Sequence, residues 1–323
     1  MAKRHVLLAI WLASFAFIPS AFAEEFPSRP ITWVVPFAPG GITDTTSRIV
    51  AEEMSKTLGQ SVLIDNRGGG GGTVGTEQVA RAKPDGYMMI YGTQGTMAAN
   101  VTLRKNLSYD PLTSFLPVHL VGESPNLFVA YHEAPYNSVP EFIAYAKQNP
   151  GKVTFSSSGV GTATHLVAEL FKTVTGIEMQ HVPYRGSAPA LNDMIAGRVD
   201  VMVDYPVSVG PHVEAGKLKV LATTAPDRLR AFPDVPTMAE LGMKDMTTQS
   251  WSSIMVPAGT PAPVVDRLDA AAHAALTSER VRTHFERFGT RPMMQQKAEL
   301  IPFIEKEITR WRDVIERAGL EKQ

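Results

Sequence analysis

The residues best suited to chemistry lie in short turns rich in glycine, serine and threonine. The first such turn is the run 34–44, which reads Val-Val-Pro-Phe-Ala-Pro-Gly-Gly-Ile-Thr-Asp. Gly40 and Gly41 have no Cβ, so a ligand can approach the backbone closely. The amides at the start of a following helix have no partner within that helix, and they can hold a carboxylate or phosphate without lysine or arginine. The alternative is a purely structural turn in which Thr43 or Asp44 caps the helix.

A second turn of the same kind occupies residues 156–162, which read Ser-Ser-Ser-Gly-Val-Gly-Thr. It follows a strand predicted over Val153–Phe155 and precedes an apolar helix that ends at Gly176. A third small polar loop, at 92–96, follows the strand predicted over Tyr87–Tyr91. Ligands of open α/β sheets bind outside the carboxyl ends of strands. Two helix N-termini, each behind a glycine turn, are therefore expected to face each other across a cleft.

The same turns could instead supply a nucleophile or a metal ligand. Ser157 and Ser158 have His165 nearby in sequence, but a Gly-x-Ser-x-Gly elbow and an orienting acid are both missing. His165 and Glu169 lie one helical turn apart, a possible metal pair without an evident third ligand or a His-Glu-x-x-His motif. The turns are poor in titratable groups, which favours holding a small polar ligand by backbone donors over proton transfer. We therefore expect no metal and no cofactor.

Five glycines at 68–72 suggest a phosphate-binding loop, but no Gly-Lys-Ser or Gly-Lys-Thr follows them. The alternative is a structural role, in which the glycines form a flexible or closely packed segment that leads into a helix beginning at Thr73. We prefer that interpretation to nucleotide binding.

Strands and helices alternate through the first two-thirds of the chain, a pattern typical of an α/β fold with parallel sheets. The first unit is a strand over Ile31–Val35 and a helix that ends at Gly59, a residue favoured just after the last helical turn. The pattern restarts near Pro125 and returns to extended sequence at Gln249. These breaks predict two domains, formed by residues 26–124 plus 248–323 and by residues 125–247.

The first 23 residues predict a secretory signal peptide. Lys3 and Arg4 precede an apolar run over Val6–Ile18, and Ala21-Phe22-Ala23 is typical of a cleavage site after Ala23. The run is short for a membrane span. The chain contains no cysteine, which excludes a lipid anchor and disulfides and suits a bacterial periplasm.

The mature chain would begin at Glu24 and carry 29 basic and 32 acidic residues, because Lys3 and Arg4 leave the total of 31 Lys and Arg. A net charge of −3 supplies no basic field for nucleic acid. No stretch after the signal peptide is apolar enough to span a bilayer. We therefore expect an exported protein that neither binds nucleic acid nor lies within a membrane.

Several motifs resemble one protein family in the order in which they occur. They are Val35–Asp44, Asp65–Arg67 with its glycines, Pro84–Tyr87, Ser157–Thr162 with His165-Leu166, Val182–Pro189, Pro233–Pro236, Ser250-Trp251 and Pro257–Pro263. Together they resemble the Bug family, the periplasmic solute receptors of tripartite tricarboxylate transporters. The resemblance covers essentially the whole mature chain. It implies an α/β, two-domain periplasmic-binding-protein fold, a type II-like Venus flytrap with two hinge crossings, and a monomer.

The resemblance also implies a site and a ligand class. Members of the family hold carboxylates between two domain faces, mainly through backbone amides and bridging waters. The expected ligand is a small organic acid, either a dicarboxylate, an amino acid or an aromatic acid, which passes to cognate membrane transporter subunits. The positions that carry over are Phe37, Ala38, Pro39, Gly40, Gly41, Thr43, Asp44, Thr93, Ser157, Ser158, Gly161, Thr162 and Asp204.

This chain departs from the family pattern at a few positions. Gly68 stands where proline is usual, Arg185 where lysine is common, and Thr46-Ser47 replaces a more apolar pair. These departures leave the ligand's identity open. The alternative from another functional class is an exported α/β enzyme, such as a serine hydrolase that uses Ser157 or Ser158.

Overall fold

The structure, a computed structural model, describes residues 26–295 and 297–322. The predicted signal peptide and its cleavage after Ala23 lie outside the described residues. Two mixed β-sheets with helices packed against them form the fold.

The first sheet combines strands from both ends of the chain. Its strands are β1 (Ile31–Val35), β2 (Val62–Asn66), β3 (Met88–Thr93), β4 (Phe115–Pro125), β10 (Gln249–Pro257) and β11 (Arg291–Pro292). The strand order is β11-β4-β10-β3-β1-β2. Strands β1, β2 and β3 pair in parallel, whereas β10 is antiparallel to both β3 and β4.

The second sheet is built from the middle of the chain. Its strands are β5 (Leu127–Tyr131), β6 (Thr154–Ser157), β7 (Gln180–Pro183), β8 (Val201–Asp204) and β9 (Leu218–Thr223), in the order β7-β6-β8-β5-β9. Strands β6, β7 and β8 are parallel, and β5 is antiparallel to β8 and β9. The prediction of parallel sheets is therefore wrong for part of each sheet. The chain leaves the first half of the molecule at the end of β4 and returns to it along β10. These neighbouring strands therefore run in opposite directions.

Helices follow most of the parallel strands. They are α1 (Ile42–Leu58), α2 (Thr73–Ala80), α3 (Asn100–Leu103), α4 (Val139–Gln148), α5 (Ala163–Thr175), α6 (Ser187–Ile195), α7 (Pro206–Glu214), α8 (Ala262–Thr277), α9 (Glu279–Arg287) and α10 (Leu300–Arg317). Helix α1 ends as predicted, with Gly59 in the left-handed conformation at φ +69° and its amide bonded to Ser55 O.

The chain passes between the sheets at two adjoining places. The Asn126 amide donates to Thr224 Oγ1 at 2.8 Å, the Thr224 amide donates to Asn126 O at 2.9 Å, and the Thr248 amide donates to Thr224 O at 3.1 Å. One apolar cluster, drawn from residues 127–246, packs on the second sheet. The boundaries 26–124 plus 248–323 and 125–247 stay a prediction, and this division of strands and core agrees with it.

Candidate ligand-binding site

A cavity lies between the two sheets. Helices α1, α5 and α6 are among those that begin at its wall: α1 contributes Gly41 to Thr43, α5 contributes Thr162 and Ala163, and α6 contributes Ser187. Each follows the carboxyl end of a parallel strand, which is where the turns of small residues place the first amides of a helix. None of the described residues that line the cavity carries a charged side chain.

The start of α1 differs from the structural turn considered in the sequence. The N-cap is Gly41 (φ −88°, ψ 179°) with no side-chain cap, so the alternative in which Thr43 or Asp44 is the N-cap is wrong. The buried Asp44 lies in the first turn, and its Oδ2 accepts from the Gly40 amide at 3.0 Å. The Asp44 carboxylate therefore reaches back to the amide outside the helix, which leaves the amides of Ile42 and Thr43 without a partner inside the helix.

Asp44 is held ionised in this position. Burial opposes ionisation, but the hydrogen bonds from Arg48 and the Gly40 amide outweigh it and lower the pKa of Asp44. Arg48 lies one turn along α1, with its guanidinium 2.9 Å from Asp44 Oδ1. The negative charge near the α1 N-terminus is thus already paired with a cation that does not line the cavity.

The start of α5 is fixed by its own turn. Thr162 is the N-cap; its Oγ1 donates to Gly159 O at 2.7 Å and accepts from the His165 amide at 3.4 Å. Ser158 and Thr164 share a hydrogen bond of 2.9 Å between their hydroxyls. The predicted second glycine turn therefore has a defined conformation with its small residues at the cavity.

Ser157 lies behind this turn, away from the cavity wall. Its Oγ accepts from the Gly159 amide at 3.1 Å and lies 2.6 Å from His181 Nε2. Ser157 is fully buried. His165, which sequence proximity suggested as its partner, stacks on His181 instead, with ring centroids 4.2 Å apart. The serine–histidine contact thus braces the turn from the inside.

Both histidines are held neutral. Desolvation by burial lowers the pKa of His165 to about 3 and that of His181 to about 4. In the suggested metal pair, His165 Nε2 lies 3.8 Å from Glu169 Oε1. The other carboxylate oxygen, Glu169 Oε2, forms an ion pair with Lys172 Nζ at 2.8 Å. Within the described part of the chain, no cluster of three or more His, Cys, Asp or Glu could hold a metal ion.

Asp204 lies directly beneath the start of α6. Its Oδ1 accepts from Ser187 Oγ at 3.0 Å and from the Tyr205 amide at 2.8 Å. Asp204 is fully buried, and desolvation raises its pKa to about 7. Asp204 therefore acts through Ser187, since it is Ser187 that lines the cavity.

Aromatic side chains complete the wall. Tyr91 from β3 donates through its hydroxyl to Ser252 Oγ at 3.0 Å, and Trp251 from β10 is tied by Nε1 to Glu307 Oε2 at 2.7 Å. Phe37 and Tyr205 line the same space. These rings give the cavity rigid apolar surface beside the helix amides, a combination typical of small-molecule sites.

The structure places the predicted residues in two groups. Those that line the cavity are Phe37, Gly41, Thr43, Thr93, Ser158 and Thr162. Those that lie outside its wall are Ala38, Pro39, Gly40, Asp44, Ser157, Gly161 and Asp204. Lining residues absent from the prediction are Ile42, Tyr91, Gln94, Gly95, Ser124, Ala163, Ser187, Tyr205, Ser250, Trp251 and Ser252. Ser187 carried a detectable signal in the sequence, because it follows the turn Tyr184-Arg185-Gly186 within the motif Val182–Pro189.

The two halves also touch along a line that we call the closure seam: Gly68, Gly71 and Gly95 on one side, and Val160, Gly161 and Arg185 on the other. Of these residues, Gly95 also lines the cavity. The Ala38 amide donates to Arg185 O at 3.1 Å. The Arg104 guanidinium donates to Gly70 O at 2.7 Å and to Val160 O at 3.3 Å. The glycine run is thus closely packed. This agrees with the structural interpretation that we preferred to nucleotide binding.

Two α/β halves joined by two adjoining crossings, with a cavity between them, define the two-domain class of periplasmic binding proteins. Solved structures of that class match the chain closely. The periplasmic binding protein BugD is 37% identical, with a TM-score of 0.89 over 92% of this chain and 100% of its own. An R. palustris protein solved with adipate is 38% identical (TM-score 0.89; 93% and 100% covered). MatC from Rhodopseudomonas palustris, with bound malate, is 37% identical (TM-score 0.86; 90% and 100% covered).

Residues 46–320 match the family described as tripartite tricarboxylate transporter family receptor, and the chain belongs to that family. The predicted Bug-type resemblance and the two-domain flytrap fold are confirmed. So is the prediction of a solute receptor, not an enzyme, because the family consists of binding proteins; the hydrolase alternative gains no support. In residues 26–295 and 297–322, no helix is long and apolar enough to cross a membrane.

Proposed function

We propose that this receptor binds a small dicarboxylate in the cavity between its two sheets and delivers it to the membrane subunits of a tripartite tricarboxylate transporter. The observation that carries the proposal is the meeting of three helix N-termini at a wall that has no charged side chain among the described residues. Each N-terminus carries roughly half a positive charge. Relatives solved with adipate and malate support a ligand with two carboxylates.

The three helix N-termini come from both halves of the protein, so both halves would contact the ligand. Helix α1 belongs to the first half, while α5 and α6 belong to the second. A dianion whose carboxylates reach both sides gains charge-assisted hydrogen bonds, worth about 1.5–3 kcal/mol each, only when the halves approach. Ligand binding and closure are therefore coupled.

The proposal is tested by calorimetry and thermal shift on the mature chain after native mass spectrometry has identified any retained ligand. The panel is succinate, malate and adipate, with butane-1,4-diamine as a control of opposite charge. We expect a 1:1 complex with at least one dicarboxylate and a higher melting temperature in its presence. Binding of the diamine alone, or of none of the four compounds to protein shown to be ligand-free, would overturn the proposal.

We further propose that the protein reaches the periplasm by cleavage after Ala23, and that it acts there as a monomer. The basic residues Lys3 and Arg4 and the apolar run Val6–Ile18 support the export signal. N-terminal sequencing of the exported protein should begin at Glu24. Recovery of Met1 in mature protein would contradict this assignment.

A further inference from the structure

Ser187 is the first residue of α6, lines the cavity and is only 5% exposed. Its hydroxyl oxygen lies 3.0 Å from Asp204 Oδ1. Asp204 ends β8 and is fully buried, and its Oδ1 also accepts the Tyr205 amide at 2.8 Å. A buried carboxyl group thus stands directly behind a hydroxyl of the cavity wall.

This contact fixes the direction of the serine hydroxyl. A carboxylate accepts hydrogen bonds only, so the Ser187 proton points to Asp204. The same holds when Asp204 is neutral, because Oδ1 already accepts the Tyr205 N–H and the acid proton belongs on Oδ2. Asp204 Oδ2 has no hydrogen-bond partner among the described residues and is free to carry that proton. In both states Ser187 offers only lone pairs to a ligand.

Ser187 also stands beside the first turn of α1. A Cβ placed on Gly41 would lie 3.3 Å from Ser187 Oγ. The amides that follow Gly41 are donors, whereas Ser187 is an acceptor. A ligand carboxylate held by the α1 amides therefore brings its neighbouring carbon atom close to an oxygen that can only accept.

We propose that Ser187, positioned by Asp204, is a specificity-determining residue that selects carboxylates with a hydroxyl or ammonium group on the carbon next to the carboxylate. The inference rests on the proposed dicarboxylate function. A ligand with a donor at that carbon completes a hydrogen bond to Ser187 Oγ. A ligand with a plain methylene there leaves a buried acceptor unmatched, which is the kind of mismatch that yields strong discrimination.

The test compares three four-carbon dicarboxylates by calorimetry: succinate, which has no donor, malate, which has a hydroxyl, and aspartate, which has an ammonium group. We expect the wild type to bind malate or aspartate at least tenfold more tightly than succinate, and the better of the two identifies the donor. Ser187→Ala should reduce that ratio to below threefold. Ser208→Ala is the matched control, because Ser208 is a buried serine near the start of α7 that does not line the cavity.

The outcomes separate this inference from the function on which it rests. Equal affinity of the wild type for all three ligands would overturn the inference and leave the dicarboxylate proposal standing. An equal loss of affinity for all three ligands in Ser187→Ala would assign Ser187 a merely structural role and would also overturn it. If none of these ligands, nor adipate, binds to ligand-free protein, the proposed function itself fails. The wild-type ratio needs no variant and keeps the test decisive if Ser187→Ala does not fold.

Discussion

Gly71 and Val160 face each other across the two halves so closely that a Cβ on Gly71 would lie 2.0 Å from the Val160 carbonyl oxygen. The rest of the closure seam has the same character. A Cβ on Gly95 would lie 2.7 Å from Gly161 O, and one on Gly68 would lie 2.9 Å from Arg185 O. At these three contacts backbone lies against backbone, so a side chain on any of these glycines would meet the backbone of the other half.

Gly71→Ala should weaken dicarboxylate binding at least tenfold, because the added methyl group blocks the closed arrangement and reduces the population that can hold ligand. Gly71 does not line the cavity, so the ligand's own contacts are unchanged. Small-angle scattering at saturating ligand should show a larger radius of gyration for the variant than for the wild type.

Gly59→Ala is a matched control for backbone strain. Gly59 has φ +69° and Gly71 has φ +65°, yet a Cβ on Gly59 would meet nothing within 4 Å. Both variants therefore carry the cost of a left-handed alanine, and only Gly71→Ala adds a clash with the second half. An equal effect of the two substitutions on affinity would contradict the role of the seam.

Gly41→Val should weaken binding more than tenfold with the fold intact. The valine would cover the α1 amides and press on Ser187, whose Cβ lies 3.3 Å from the position of a Cβ at Gly41. Thr162→Ala should cost less, because the backbone amides at the start of α5 remain. Calorimetry on both variants checks the order of the two losses. If Gly41→Val folds and binds as tightly as the wild type, the proposal that backbone amides at the helix starts hold the ligand is wrong.

The local parts of this site could be predicted from the sequence. The apolar strand, the paired glycines and the helix that ends at Gly59 all follow from short-range rules on propensity and chain conformation. The same rules place Thr162 at a helix start. These features involve residues close together in the chain, so a single sequence contains what is needed to find them.

The far wall of the cavity could not be predicted in this way. Tyr91 and Ser252 share a hydrogen bond although they are 161 residues apart, and no local pattern signals that β10 returns beside β3. Helix α7 is also hard to predict from the sequence, because it contains Pro211 and proline is disfavoured inside helices. The partly antiparallel sheets were missed because strand direction depends on where the chain crosses between halves.

Acid should destabilise the protein through His181. Its folded pKa of about 4 lies below the ordinary value of 6.5, so the native state binds fewer protons between these values. The stability that neutral His181 contributes is complete above pH 6.5 and is lost as the pH falls toward 4. The free energy of unfolding, measured with urea, should therefore fall between pH 7.5 and pH 5. This decrease should be about 2 kcal/mol smaller for His181→Gln than for the wild type. Equal losses for the two proteins would contradict the low pKa.

Asp204 should act in the opposite direction. Burial raises its folded pKa to about 7 from 3.8, so the native state binds more protons between these values. The stability that this proton uptake contributes is complete below pH 3.8 and is lost as the pH rises through 7. Asp204→Asn cannot ionise, and its amide oxygen can still accept from Ser187 and the Tyr205 amide. The variant should therefore gain about 3 kcal/mol in free energy of unfolding relative to the wild type when the pH rises from 5 to 8.

Asp193→Asn is the control for this prediction. Asp193 is a carboxylate whose pKa is lowered by hydrogen bonds from Arg198 and Tyr184, so its replacement should not bring a relative gain at pH 8. Urea unfolding of the wild type and both variants at pH 5 and pH 8 makes the comparison. A parallel shift of wild type and Asp204→Asn across this range would contradict a folded pKa near 7. If Asp204 is then shown to be ionised at pH 5, Ser187 lies against a permanent buried negative charge, and ligands with an ammonium group would be expected to exceed those with a hydroxyl in affinity.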